Sequence, residues 1–375
     1  MNPAEKLLRE LIALPSVNPA FLSAQHPNAG EKRVADFLCA TAASAGLDVQ
    51  FADALPGRPN LLVRLAPPGK IKQRILLAPH LDTVNSTPEG FVPTRKGDRL
   101  YGRGACDTKG CVAAMLSAVI ALANGKTRPA ETEIIFAGLI DEECGQTGSR
   151  ALADSGFKAD LAIVGEPTEN KIVTAHKGSL WLKLETRGKS AHGARPELGI
   201  NAVHEMARII DLLQTKYAAQ LKKRRHPLLG NATISVGTVN GGSQPNIVPN
   251  HCVMTADRRS LPGETEASIR RELQALLRAA KLKAQIGKSK AHSGLPMETN
   301  FKLPLVQQFF RTIGQTKPVG VDYFCDASIL SKGGTPSIVF GPGNIAQAHT
   351  IDEWISIKSL ERGTAMLHNF LQSLP

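Results

Sequence analysis

Leu7, Leu8, Leu11, Ile12 and Leu14 recur at the spacing of one helix face, and Pro15 ends the pattern. Residues 33–45 repeat it as a second amphipathic helix. Short runs rich in Leu, Ile and Val at 60–65 and 75–78 predict buried strands. Residues 110–123 are apolar almost all round, which predicts a helix packed against a sheet. Further strands are expected at 133–139, 161–164 and 337–340, and a closing helix at 357–374. Buried strands alternating with helices predict an α/β sheet covered by helices on both faces.

The middle of the chain has a different period. Leu180, Leu182 and Leu184 alternate with Trp181, Lys183 and Glu185. Residues 232–239 alternate as well, and 252–257 do so more weakly. One-sided alternation marks an antiparallel sheet with one covered face. Two long helical stretches, 201–220 and 264–280, lie between and after these strands. The reading is a small α+β domain of four strands and two helices, inserted into the first. The expected boundaries are 1–172 and 292–375 for the α/β domain and 173–291 for the insertion.

Composition narrows the class. The chain has 375 residues, of which 42% are apolar and 21% charged, enough for a large core and too ordered for a disordered chain. No apolar run reaches the ~20 residues of a membrane helix. The N-terminus mixes charge into its apolar positions and lacks a signal-peptide cleavage pattern, so a soluble cytoplasmic protein with no membrane partner is expected. Six cysteines are scattered with no C-x-x-C pair, which fits a reducing compartment. The net charge of +12 is uneven: residues 171–290 hold 21 Lys and Arg against 8 Asp and Glu, and the remainder nearly balances. The densest run, Lys222 to His226, has no interleaved aromatic residues, so it reads as a solvated loop or helix end and not as a nucleic-acid site.

Acidic and histidine residues gather at the expected strand ends. His80 and Asp82 follow the run at 75–78. Asp107 precedes a helix. Asp141, Glu142 and Glu143 follow a strand, Glu166 follows another, and His349 follows a strand and the turn at Gly341 and Gly343. Ligands of open α/β sheets bind at these carboxyl ends. So many carboxylates brought together repel one another unless a cation lies among them. Two imidazoles and several carboxylates suit zinc or a similar divalent ion, and are enough for two ions sharing one carboxylate.

These segments resemble a known family. PHLDTV at 79–84, YGRGACDTKG at 101–110, DEECGQTGS at 141–149, GEPTE at 165–169, HKGSLWLKLETRGKSAHGARPELGINAV at 176–203, NGGSQPNIVPN at 240–250 and GPGNIAQAHTIDEWI at 341–355 resemble the zinc-dependent amidohydrolases and exopeptidases. That family includes acetylornithine deacetylase, succinyl-diaminopimelate desuccinylase, aminoacylase and glutamate carboxypeptidase. The resemblance implies a catalytic domain with a mixed sheet flanked by helices, an inserted dimerisation domain and a homodimer. It implies two divalent ions, zinc by default with cobalt or manganese as substitutes. His80 and Glu166 resemble ligands of one metal, Glu143 and His349 ligands of the other, and Asp107 the bridge.

Glu142 resembles the general base; in an extended segment its neighbour Glu143 would point away from it. Asp82 resembles the carboxylate that orients His80. His192 resembles an oxyanion donor supplied by the partner subunit. Arg259, with Arg258 as the alternative register, resembles the residue that grips a substrate carboxylate, and Asn246 a polar contact nearby. Cys106 and Cys144 flank ligands and are expected to be buried or to lie behind them.

The implied activity is hydrolysis of an N-acyl-L-amino acid. The HKG and GEPT segments are closest to acetylornithine deacetylase, with desuccinylase, dipeptidase or carboxypeptidase activity as alternatives. A non-catalytic ligand-binding homologue would be expected to have lost a ligand or the base, and all are present.

Overall fold

The computed structural model describes residues 1–23, 25–288 and 293–375. Its contacts divide the chain into two compact units, 1–174 with 299–319 and 325–375, and 175–298 with 320–324. The expected junction at 291/292 lies outside the described residues.

The first unit is built on a mixed sheet. Its strands run in the order Asp48–Leu55, Arg58–Leu65, Thr132–Gly138, Gln73–Pro79, Leu161–Gly165 and Ser337–Val339. The first three are antiparallel neighbours and the last four are parallel. The parallel strands are buried on both faces, as their unbroken apolar runs require. Ile75 and Leu77 enter a core with the helices Pro3–Ile12, Lys109–Ala123 and Ile357–Gln372, while Leu76 and Ala78 of the same strand are equally buried on the opposite side. Lys109–Ala123 is buried along nearly its whole surface, as its all-round apolar sequence predicts. The edge strand Asp48–Leu55 is half exposed and carries polar and small residues, which is why no apolar run announced it.

A three-stranded sheet joins Thr94–Lys96, Arg99–Tyr101 and Trp354–Ser356. Trp354 pairs with Tyr101, and so two segments distant in sequence are held side by side.

The second unit has four antiparallel strands in the order Thr233–Gly241, His251–Ser260, Gly178–Arg187 and Gln285–Lys288. Leu180, Leu182 and Leu184 face a core with Met206, Ile209 and Leu273 from the two helices, and Trp181 is exposed on the open face. Residues 201–220 do not form one regular helix: Ala202–Leu212 passes through a wider turn at Leu213–Tyr217 into Ala218–Lys222. The helix Glu266–Ala279 starts at a capping box between Thr265 and Ser268. Among the described residues no helix is long and apolar enough to cross a membrane.

Candidate metal centre

The parallel strands of the first unit deliver the site. His80 follows Gln73–Pro79, the turn at Asp141–Gln146 follows Thr132–Gly138, and Glu166 follows Leu161–Gly165. Asp107 stands just before the helix Lys109–Ala123, and its peptide bond to Thr108 is cis. His349 comes from the loop after Ser337–Val339, with φ of 59°.

Asp107 divides its carboxylate between two imidazoles. Oδ1 is 3.1 Å from His80 Nε2, and Oδ2 is 3.3 Å from His349 Nε2. Glu166 Oε1 lies 3.9 Å from His80 Nε2, and Glu143 Oε2 lies 3.1 Å from His349 Nε2. Two clusters of metal-capable atoms result, His80 with Glu142 and Glu166, and Asp107 with Glu143 and His349. No cysteine enters either cluster.

The tautomer of His80 suits a ligand. Its Nδ1 is 3.0 Å from the Asp82 backbone carbonyl, which can only accept. Nδ1 therefore carries a proton, which leaves Nε2 as the nitrogen that faces Asp107 and Glu166; against its burial, bonds to Asp107 and Asp82 raise the pKa of the ring well above its usual value, so a cation would take the place of the Nε2 proton. The Asp82 carboxylate lies 3.4 Å from the same nitrogen. Its stronger bonds go elsewhere. Oδ1 accepts the Glu142 N–H and Oδ2 the Glu143 N–H, each at 3.0 Å, and Asn18 Nδ2 donates at 2.8 Å.

The segment carrying Glu142 and Glu143 is a turn and not an extended strand. Asp141 and Gln146 both have positive φ, and Asp82 gathers the two N–H groups that an extended strand would direct to opposite sides. The two carboxylates still enter different clusters. Cys144, expected to be buried or to lie behind a ligand, is exposed in this turn. Cys106 is buried, and its thiol donates to the Asn344 carbonyl at 3.2 Å.

Charge in the cluster is under tension. Burial, with Glu166 nearby, pushes the pKa of Glu142 well above the usual carboxylate range. Burial does the same to Glu166. Asp107 is held well below that range because bonds from His349 and His80 outweigh its burial. Those bonds from Asp107 and Glu143 raise His349 to about 10. In effect the imidazoles are standing in for a positive charge that the carboxylates demand. The donor set of two imidazoles and four carboxylates fits two divalent cations and relieves this repulsion.

Three buried residues escaped the sequence reading. Asn18 donates to both Asp82 and Asp141, at 2.8 and 2.9 Å. Asp326, fully buried, accepts from Ser149 Oγ at 2.6 Å, and burial raises its pKa to about 6. Glu353 accepts N–H groups from the loop that carries Asp107. Only Glu353 had a signal, lying in the motif that contains His349.

The remaining predicted residues belong to the second unit. His192 is exposed, and its Nδ1 accepts the Ala194 N–H at 3.1 Å, leaving Nε2–H free to donate. Asn246 adjoins it, its carbonyl accepting the Gly193 N–H at 2.7 Å. Arg258 is wholly buried and bonded to Tyr217 and Glu264, at 3.2 and 2.6 Å. Arg259 faces the open side, 33% exposed, with Nε on Asp257 at 2.9 Å. In the dense basic run, Arg224 pairs with Glu264 and Glu272.

The class that fold and site define is that of metal-dependent hydrolases, and comparison with known proteins agrees. Residues 76–373 match peptidase family M20/M25/M40, and the chain belongs to that family. An acetylornithine deacetylase from Edwardsiella ictaluri (strain 93-146) is 30% identical over 382 residues, covering 98% of this chain and 97% of its own. A tripeptidase from Staphylococcus aureus subsp. aureus Mu50 has the same fold, with a TM-score of 0.78 at 21% identity over 99% of this chain and 97% of its own. So does a dinuclear metal-binding peptidase of the M20 family from Bacillus subtilis, with a TM-score of 0.71 at 13% identity over 98% and 96%.

Proposed function

We propose that the protein is a binuclear metal-dependent amidohydrolase of N-acyl-L-amino acids, with N-acetyl-L-ornithine as the leading substrate. One observation carries the reading: Asp107 turns one oxygen to each of two imidazoles, the posture of a bridging ligand. The ornithine preference rests on the HKG and GEPT segments and on the 30% identity to an acetylornithine deacetylase. Zinc is the proposed metal, a homodimer the proposed assembly and the cytoplasm the proposed location.

In this reading His80, Glu166 and Asp107 would hold one cation, and Asp107, Glu143 and His349 the other; the chemistry such ions would supply is a more acidic water and a polarised scissile carbonyl. Glu142 accepts the proton of the attacking water as the new C–O bond forms. It then delivers that proton to the amine as the C–N bond breaks. His192, with Nε2–H free, donates to the tetrahedral oxyanion from the partner subunit, as the family resemblance implies. Arg259 grips the substrate carboxylate with its Nη atoms, since Nε is already committed to Asp257. Arg258 has no face to offer.

The test is release of free amine from a panel of N-acetyl-L-ornithine, other N-acetyl amino acids, N-succinyl-diaminopimelate and dipeptides, with apo and zinc-loaded protein. Zinc-dependent turnover led by N-acetyl-L-ornithine is expected. Turnover confined to dipeptides or to the succinyl compound would overturn the substrate assignment.

A further inference from the structure

Glu353 lies four residues beyond His349 and is almost completely buried. Its carboxylate accepts four N–H groups. Oε1 takes the Cys106 and Asp107 backbone N–H groups at 2.7 and 2.9 Å. Oε2 takes the Gly104 N–H at 2.9 Å and Arg103 Nη1 at 2.7 Å. Arg103, itself buried, reaches back with Nη2 to the Thr350 carbonyl at 3.0 Å. The pair therefore ties the loop ending in Asp107 to the segment starting at His349. These are the two residues whose side chains meet at 3.3 Å in the second cluster.

A buried carboxylate is costly unless its lone pairs are filled. Here all four donors come from residues 103–107, the loop that ends in Asp107, while Glu353 itself belongs to the segment that starts at His349. None comes from solvent, and the residue is not itself in either cluster of metal-capable atoms. Backbone pairing of Tyr101 with Trp354, and of the Gly102 N–H with the Glu353 carbonyl at 3.0 Å, already joins the segments at lower precision. The carboxylate adds orientation to a connection the fold makes without it.

We propose that Glu353, paired with Arg103, is a positioning residue that sets Asp107 and His349 at the separation needed to hold the second divalent cation. It acts on that cation's affinity and leaves substrate binding alone. The inference rests on the binuclear reading above and deepens it. Removing a group that supports a ligand from behind costs typically 10- to 100-fold in metal affinity.

The experiment is a cobalt(II) titration of the full-length apo protein, followed by its visible absorption and by metal analysis after gel filtration, for wild type, Glu353→Gln and Arg103→Lys. Wild type is expected to take up two equivalents. Glu353→Gln should bind the second equivalent about tenfold or more weakly than wild type, with an altered cobalt spectrum, and the first, which keeps His80 and Glu166, with a smaller loss. Its kcat should fall and recover with excess metal, while KM stays within about twofold. Arg103→Lys keeps a charge on Oε2 but cannot also span to Thr350, and should show a smaller weakening of the same step; it decides the matter if Glu353→Gln does not fold.

A folded Glu353→Gln that binds both equivalents like wild type overturns the inference, as does an Arg103→Lys variant with unchanged uptake when Glu353→Gln does not fold. So does lowered thermal stability with unchanged uptake, which marks a purely structural residue. A wild type that binds two equivalents but hydrolyses no N-acyl amino acid overturns the proposed function and leaves this inference standing.

Discussion

The carboxylate of Asp82 accepts the backbone N–H of Glu142 at 3.0 Å. This contact places the proposed base by its main chain, leaving the Glu142 side chain free to reach the His80 and Glu166 cluster. The same carboxylate takes the N–H of Glu143. Asp82→Asn presents an amide N–H to one of these donors. Activity is expected to fall about 10- to 100-fold while the fold persists. Steady-state kinetics with circular dichroism checks this, and near wild-type kcat would show that the turn holds itself.

Glu142→Gln keeps the shape of the side chain and removes the basic oxygen. Metal content should persist, and kcat should fall about 10²- to 10⁴-fold. Metal analysis beside turnover separates the two effects. Unchanged turnover would sink the role given to Glu142.

The apo protein carries a pH signature at His349. Bonds from Asp107 and Glu143 raise its pKa from 6.5 to about 10. A raised folded-state pKa means stabilisation that is full below the unfolded value and is lost as pH rises through the folded one. The stability difference between apo wild type and apo His349→Gln should therefore be largest below about pH 6.5 and shrink towards pH 10. His349 is 54% exposed, so solvent screening keeps the effect modest. Urea unfolding at several pH values measures it, and a difference that grows with pH contradicts the assignment. Metal binding must also expel these protons, so uptake should release protons and tighten with pH.

The adjacent arginines should separate cleanly. Arg258→Met removes one partner of a buried pair with Glu264 and is expected to cost about 3 kcal/mol or more of stability. Arg259→Met should leave stability nearly unchanged and raise KM for carboxylate-bearing substrates by about 10- to 100-fold. Thermal unfolding and kinetics on the same two variants decide it. The reverse pattern would exchange their roles.

The proposed metal ligands were legible because each belongs to a short motif at the end of a recognisable buried strand: His80 after one apolar run, Glu166 after another. Periodicity also contained the answer for the arginines. Cys252, Met254, Ala256 and Arg258 alternate onto the covered face of His251–Ser260, which turns Arg259 outwards. What lay beyond the sequence is support that depends on tertiary contact. Asn18, Asp326 and Glu353 act on groups far along the chain, and no local pattern marks an acceptor whose four donors lie in residues 103–107. The turn at Asp141–Gln146 lies beyond the sequence for the same reason, since the acceptor that organises it is Asp82.

The binuclear centre is tested most directly by following hydrolysis of N-acetyl-L-ornithine while apo protein is titrated with zinc. Turnover should be absent in the chelated protein and should rise with added metal, reaching its maximum at two equivalents per chain. Full activity in metal-free protein, or a maximum at one equivalent with no second ion bound, would contradict it.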